Sequence, residues 1–270
     1  MSGPRIGLIC PYSMGVWGGV QMQVLGLGRA LRAEGLPVQV LAPCDGLPPE
    51  PWVTPLGTSI PYAENGSIAP LAPDPAAQLR LLGAVWDERF DVLHLHEPIA
   101  PGPTLTSLVV KPSPLVGTFH ASGTIMPYRW INRTVRRLAA RLDERVAVSE
   151  EAAATATASL GGEYRIIPNA IEVGRFAGAE PWPTDGPTVM FLARHEERKG
   201  LRVLLEAARH MPSDVDFWLA GHGPDTEALQ RDHPDPRFQW LGAISDDEKE
   251  RRLAGADVFC VPAIGGESFG

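Results

Sequence analysis

Residues 5–34 read RIGLICPYSMGVWGGVQMQVLGLGRALRAE, and this stretch decides the fold. A short apolar run at 6–10 has the length of a strand. The glycine pair Gly18-Gly19 then turns the chain, and apolar residues recur at helical spacing over 20–34. Glycines at a strand-to-helix turn let backbone N–H groups approach a phosphate or a sugar, and the helix N-terminus adds positive potential. The pattern is not G-x-G-x-x-G, which counts against a dinucleotide-dependent dehydrogenase.

Working outward, the same alternation continues. Strands are predicted at 5–10, 38–41, 91–96, 115–119 and 145–148, with a second series at 164–167, 189–193, 216–220, 238–241 and 258–261. Helices are predicted at 20–34, 74–88, 129–142, 150–160, 201–210, 226–231 and 246–253. Near-continuous apolar strands separated by helices indicate an α/β protein with parallel sheets covered on both faces. Residues 177–187, with three prolines around Trp182, read as a linker. The expected organisation is a domain over 1–176, that linker, and a second domain over 188–270 that reads as incomplete. Residues 43–75 are proline-rich and read as an irregular excursion from the first domain.

Composition narrows the classes of function. Of 270 residues, 44% are hydrophobic and 21% charged, which excludes wholesale disorder. The net charge of −8 gives no basic field for nucleic acid, so no nucleic-acid partner is expected. No run of about 18 apolar residues occurs, so no transmembrane helix is expected. Cys10, Cys44 and Cys260 are few, odd in number and widely spaced. They read as reduced thiols in a cytoplasmic protein, with Cys10 and Cys260 as buried small apolar groups.

Chemistry-bearing residues gather where strands end, which in open α/β sheets is where ligands bind. The third predicted strand ends in His94-Leu95-His96-Glu97-Pro98 and the fourth in Thr118-Phe119-His120. Histidines there can polarise or hydrogen-bond a hydroxyl. His94, His96, Glu97 and His120 also have the donor types of a metal site, and residues 94 and 96 share one side of a strand. Against this, His94 reads as a satisfied core histidine. The second domain opens on a strand followed by Arg194-His195-Glu196-Glu197-Arg198-Lys199-Gly200, cations suited to a diphosphate and partly cancelled by the glutamates. Gly221-His222-Gly223-Pro224 and the final Gly265-Gly266-Glu267-Ser268-Phe269-Gly270 are further glycine-rich strand-end loops. Along 129–145, Ile131, Val135, Leu138 and Leu142 share a face, with Arg129, Arg133, Arg136 and Arg137 opposite and Arg141 at the border. Such a helix either packs on its own sheet or lies on an anionic membrane.

Taken in order, six motifs carry a resemblance: 6–12 with Gly18-Gly19-Val20-Gln21, 91–98, Thr118-Phe119-His120, Ile167-Pro168-Asn169, Arg194…Arg198-Lys199-Gly200, and 265–270. The chain resembles glycosyltransferase family 4, and within it the actinobacterial phosphatidylinositol mannosyltransferases. The resemblance implies a GT-B fold, two Rossmann-like domains with the active site in the cleft between them. It implies metal-free transfer of a sugar from a nucleotide-sugar donor, with retention and with no further cofactor. By motif, Gly19 would lie against the donor, Arg194 and Lys199 would clamp its diphosphate, and His120 would touch the transferred sugar. Glu267 would hold sugar hydroxyls, with Ser268, Phe269 and Gly270 near phosphate. Ile244, Asp246 and Lys249 match guanine-holding positions, which points to GDP-mannose. Tyr12, Gln21, Asn65 and Ser67 match acceptor-side positions. The acceptor would be a lipid or a small molecule, met at the inner membrane face through 129–145.

Three departures from the family pattern stand out. The second glutamate of the motif that Glu267 begins would lie past Gly270, so the chain as given is expected to bind donor poorly. Pro70 replaces an arginine of the acceptor loop. Ala121 and Ile125 stand where the family has threonine and lysine. Losing two cations argues against phosphatidylinositol as the acceptor. An epimerase on the same fold and a degenerate sugar- or membrane-binding module are the competing expectations.

Overall fold

The computed structural model describes residues 3–16, 18–64, 67–121 and 132–265. Trp17, Asn65, Gly66, Ile125, Arg129, Ile131, Gly266, Glu267, Ser268, Phe269 and Gly270 therefore lie outside the described residues. The chain divides into two compact units, the first running to Ile171 and the second starting at Glu172.

The first unit is built on a seven-stranded parallel sheet. In chain order its strands are β1 (Ile6–Ile9), β2 (Val38–Ala42), β3 (Val53–Pro55), β6 (Val92–His96), β7 (Leu115–Phe119), β8 (Glu144–Ala147) and β9 (Arg165–Ile166). A hairpin, β4 (Ile60–Glu64) and β5 (Ser67–Leu71), stands apart as a separate two-stranded sheet. The spatial order of the main sheet is β3-β2-β1-β6-β7-β8-β9, so the direction of winding reverses between β1 and β6. Apolar residues on both faces of the strands explain why helices cover both sides. Leu8, Cys10, Val38 and Val40 pack under α1 (Gly19–Ala33) through Val24 and Leu25. On the other face Ile9, Leu41, Leu93, Leu95 and Leu115 meet α2 (Pro75–Glu88), α3 (Pro103–Val110), α4 (Asn132–Ala139) and α5 (Glu150–Leu160). Asp74 caps α2 by accepting from Ala77 N, and Ser149 caps α5 by accepting from Ala152 N.

The second unit starts with a short helix, α6 (Val173–Ala177), and holds a four-stranded parallel sheet. Its strands are β10 (Thr188–Leu192), β11 (Asp216–Ala220), β12 (Phe238–Gly242) and β13 (Val258–Phe259), in spatial order β12-β11-β10-β13. Here the reversal falls between β10 and β13. Phe191, Phe217 and Leu219 pack against α7 (Leu201–Ala207) and α8 (Thr226–Asp232). Met190, Trp218 and Ala220 face Trp182, Ile244 and Leu253, the last on α9 (Asp246–Gly255). Trp182 is held there: its backbone N–H donates to Arg251 O, and the Arg252 guanidinium lies 4.3 Å from its ring centre and 4.6 Å from that of Trp218.

Several sequence expectations need correcting. Residues 43–75 are not irregular throughout. Trp52 and Val53 are buried, Val53–Pro55 joins the main sheet, and the prolines sit where a ladder tolerates them, Pro55 ending an edge strand. The strand predicted at 164–167, grouped by order with the later strands but inside the expected first domain, is Arg165–Ile166 and pairs with β8 in the first sheet. Helix α3 was not anticipated, because Thr104, Thr106, Val109 and Val110 are β-branched; Pro103 at its first turn and packing of Leu108 hold it helical. The helix expected over 201–210 is α7 followed by a 3₁₀ turn at Ala208–His210. All three thiols are free; Cys10 and Cys44 are buried, while Cys260 is only half-buried.

Candidate functional site

Each sheet places its reversal point at the carboxyl ends of two strands, and the candidate residues cluster there. In the first unit the loop after β1 is fixed by backbone groups. Ser13 N donates to Pro70 O and Met14 N to Pro43 O, both at 2.9 Å, and Tyr12 forms an antiparallel bridge with Leu71. The buried Ser13 hydroxyl accepts from Asp45 N at 3.1 Å and Gly15 N at 3.3 Å. Gln21 is buried, and its side-chain amide donates to Val16 O and Ser13 O at 3.1 and 3.3 Å. Gln21 therefore shapes the loop ahead of α1. At Gly19 a Cβ would meet no atom, which leaves open space over the first turn of the helix. Gly18 makes no side-chain cap, and the turn carries no acidic residue.

Across the reversal point stand His94 and His96 of β6 and, just after β7, His120. His94 Nε2 lies 2.6 Å from Thr118 Oγ1, and His96 Nδ1 lies 3.0 Å from His120 Nε2. Glu97 has a left-handed backbone, φ 51°, and its Oε1 accepts from His120 N at 2.6 Å. That contact fixes the chain where β7 ends. Burial pushes the His94 and His120 imidazoles down to about 4, with His94 a further cause for His120; burial, then the His94 and His120 rings, also hold His96 well below its usual value. Among the described residues no group of three or more His, Cys, Asp or Glu has a metal-holding arrangement.

In the second unit the loop after β10 carries the cations. Arg194 is exposed; its guanidinium lies 3.8 Å from Glu196, whose other oxygen meets Arg198 at 2.7 Å. Buried Glu196 thus places its carboxylate between the two arginines, close to Arg198 and further from Arg194. Gly200 follows Lys199 with φ 71°, and a Cβ there would overlap the Pro262 carbonyl oxygen. Ile264 N donates to Arg198 O at 2.9 Å, so the chain after β13 closes on the same turn. Buried His195 hydrogen-bonds Thr226 Oγ1 at 2.9 Å, which in turn accepts from Gly223 N at 2.9 Å. Gly221, φ 117°, lets its loop lie against Ala193 O.

Further along, Asp246 and Lys249 form one ion pair, Nζ to Oδ1 at 2.5 Å, on the first turn of α9. Arg175 on α6 lies 3.6 Å from the other Asp246 oxygen and also pairs with Glu250. Burial raises the Asp246 carboxyl, and the Lys249 and Arg175 cations more than offset it, so the group stays ionised. Ile244 packs beside Trp182 and Leu241.

The structure therefore places Tyr12, Gly19 and Gln21 after β1 at one reversal point, His120 after β7 beside His96 of β6, and Arg194 with Lys199 after β10 at the other. Ile244, Asp246 and Lys249 sit at the end of β12. Ser67 lies in β5; Asn65, Glu267, Ser268, Phe269 and Gly270 are outside the described residues. The sequence reading missed Ser13 and Arg175, and read Glu97 and Glu196 only as a metal donor and a counter-charge. Only the adjacency of Glu196 to two arginines signalled an anchor.

The chain resembles known proteins over nearly its whole length. The model described as Glycosyltransferase Family 4 matches residues 17–175, and that described as Glycosyl transferases group 1 matches 186–270. A phosphatidyl-myo-inositol mannosyltransferase of Mycobacterium leprae is 40% identical over 98% of this chain and 74% of its own. That of Mycolicibacterium smegmatis is 38% identical over 98% and 72%. Among solved structures, sucrose-phosphate synthase from Thermosynechococcus elongatus superposes with a TM-score of 0.71 at 17% identity, covering 99% of this chain and 77% of that one. The Anabaena protein HepE, solved with UDP and glucose, gives 0.68 at 17% identity, covering 99% and 76%. These two share the fold, a GT-B glycosyltransferase architecture.

Proposed function

The chain belongs to glycosyltransferase family 4, and on that premise we propose that it moves mannose from GDP-mannose, with retention, to a lipid-linked or small-molecule acceptor. A glycosyltransferase of this family breaks the bond between the anomeric carbon and the diphosphate and forms one to an acceptor oxygen. The nucleoside diphosphate leaves with the bonding pair, and the acceptor hydroxyl gives up its proton. The charge that develops on the leaving group needs fixed cations close by, in a site that does not reorganise. Arg194 and Lys199, on a turn held by Glu196, Gly200 and Ile264, supply them.

The observation that carries this reading is the position of that turn at the reversal point of the second sheet, where α/β folds bind phosphates. The Asp246–Lys249 pair offers an acceptor and a donor side by side, which suits the edge of guanine. His120 presents a neutral ring to the sugar, and Gly19 leaves room against it. Glu267 and the residues after it would add contacts to sugar and phosphate.

The acceptor side of the proposal is coarser. Pro70 contributes its carbonyl to Ser13 N and brings no cation to an anionic headgroup. We infer a peripheral place at the inner membrane face from α4. Val135 and Leu138 pack on the core, while Arg133 and Arg137 are exposed, so any membrane contact is electrostatic.

A thermal-shift panel of GDP-mannose, GDP, UDP-glucose and ADP-glucose on the full-length protein tests the donor. A ligand at about 100 times its Kd stabilises by about 2.7 kcal/mol. The two guanine nucleotides are expected to raise the Tm and the others not. A rise with UDP- or ADP-glucose and none with GDP-mannose overturns the assignment.

A further inference from the structure

One cluster is used only in part by the function above. His94 and His96 occupy alternate positions of β6 and their rings stack, with centroids 4.4 Å apart; His96 and His120 stack at 5.2 Å. His96 is 1% exposed and His120 7%. Beyond the 3.0 Å contact between them, neither His96 Nε2 nor His120 Nδ1 has a partner among the described residues.

Counting protons constrains this pair. A neutral imidazole carries one N–H and one lone pair. A contact of 3.0 Å between two ring nitrogens needs one of each. If His96 Nδ1 donates, His120 Nε2 accepts, and the proton of His120 sits on Nδ1. If His120 Nε2 donates, His96 Nδ1 accepts, and the proton of His96 sits on Nε2. Either way both rings adopt the same tautomer. The two remaining nitrogens, His96 Nε2 and His120 Nδ1, both buried, are then always one acceptor and one donor.

We propose that His96 is a positioning residue whose tautomer is tied to that of His120, so that the two rings change together whether His120 Nδ1 donates to or accepts from a hydroxyl of the bound sugar. The kinetic part rests on the transferase reading and on His120 meeting that sugar. The groups around the pair favour neutral rings. Burial lowers both imidazoles, His94 adds repulsion towards a second charge, and the Oε1 of Glu97 is taken up by His120 N. A hydrogen-bonded pair has two joint tautomers where independent rings would have four, so fewer states compete when a ligand hydroxyl reaches His120 Nδ1.

The test combines two readouts on the full-length protein. Long-range ¹⁵N–¹H correlation spectra of histidine-labelled protein report the tautomer of each ring directly, with His96→Asn and His120→Gln spectra giving the assignments. The same tautomer is expected at both positions; opposite tautomers, or a charged ring at pH 7, overturn the pairing. Steady-state transfer then separates positioning from packing. His96→Ala is expected to lower kcat by about tenfold or more, the worth of one hydrogen bond, and to change the donor KM less than about threefold. His96→Asn, whose amide reaches the place of Nδ1, is expected to restore most of that loss. Equal losses in the two variants, or an unchanged kcat in His96→Ala, overturn the role given to His96. Wild-type protein that transfers from no sugar nucleotide counts against the transferase reading, and the spectra still decide the pairing.

Discussion

His94 and His120 titrate near 6.5 in an unfolded chain and near 4 in the folded protein. Between those values the unfolded chain binds more protons, so acid favours unfolding. The stability they contribute is complete above about pH 6.5 and drains away as pH falls towards 4. Urea unfolding at pH 7 and pH 5 is expected to show a lower midpoint at pH 5, and a smaller difference in His94→Gln. An equal pH dependence in wild type and variant contradicts the buried neutral assignment. At this scale the residue types were legible: histidines and cations at strand ends stand out in the sequence. Their partners were not. That Glu97 turns into a left-handed conformation and holds His120 N, or that Gln21 bonds the loop behind it, depends on backbone directions that a residue string does not carry.

The turns that follow the strands do their work through glycine. Gly200 ends the 3₁₀ turn of Glu197–Lys199 in a left-handed conformation and lies against the Pro262 carbonyl. Gly200→Ala adds both backbone strain and overlap, and is expected to cost about 1–3 kcal/mol. It should also loosen the anchor of Arg198 O on Ile264 N. Gly19→Ala, at a helical position with open space, is expected to leave stability within about 0.5 kcal/mol of wild type. Equilibrium denaturation of the two variants checks the contrast, and equal midpoints contradict it. Helices and strands with clear periodicity were legible, and so were the strand ends that position the site. The hairpin β4–β5 and strand β3 were hidden because prolines and glycines mask their pattern, and only pairing and the burial of Trp52 and Val53 make them strands.

Over the whole molecule, a net charge of −8 means that any attraction to an anionic membrane must come from a local patch. Of the arginines along 129–145, Arg133, Arg136 and Arg137 are exposed on α4, and Arg136 also donates to the Ser159 and Ala158 carbonyls at the end of α5. Binding to phosphatidylglycerol vesicles is therefore expected to be present at low ionic strength and lost near 1 M salt, where the Debye length is about 3 Å. Binding that survives high salt contradicts an electrostatic contact. The class of the two sheets was legible from alternation alone. Their strand orders were not, because neighbours in a sheet are set by crossover and packing rather than by chain order.

The central claim is that the cations after β10 take up the charge of a departing nucleoside diphosphate. Its most direct test is transfer of labelled mannose from GDP-mannose to extracted lipid by full-length protein, with Arg194→Ala and Lys199→Ala measured beside wild type. Each variant is expected to lose about a hundredfold or more in kcat/KM while unfolding at the wild-type midpoint. Wild-type turnover in both folded variants would contradict the claim.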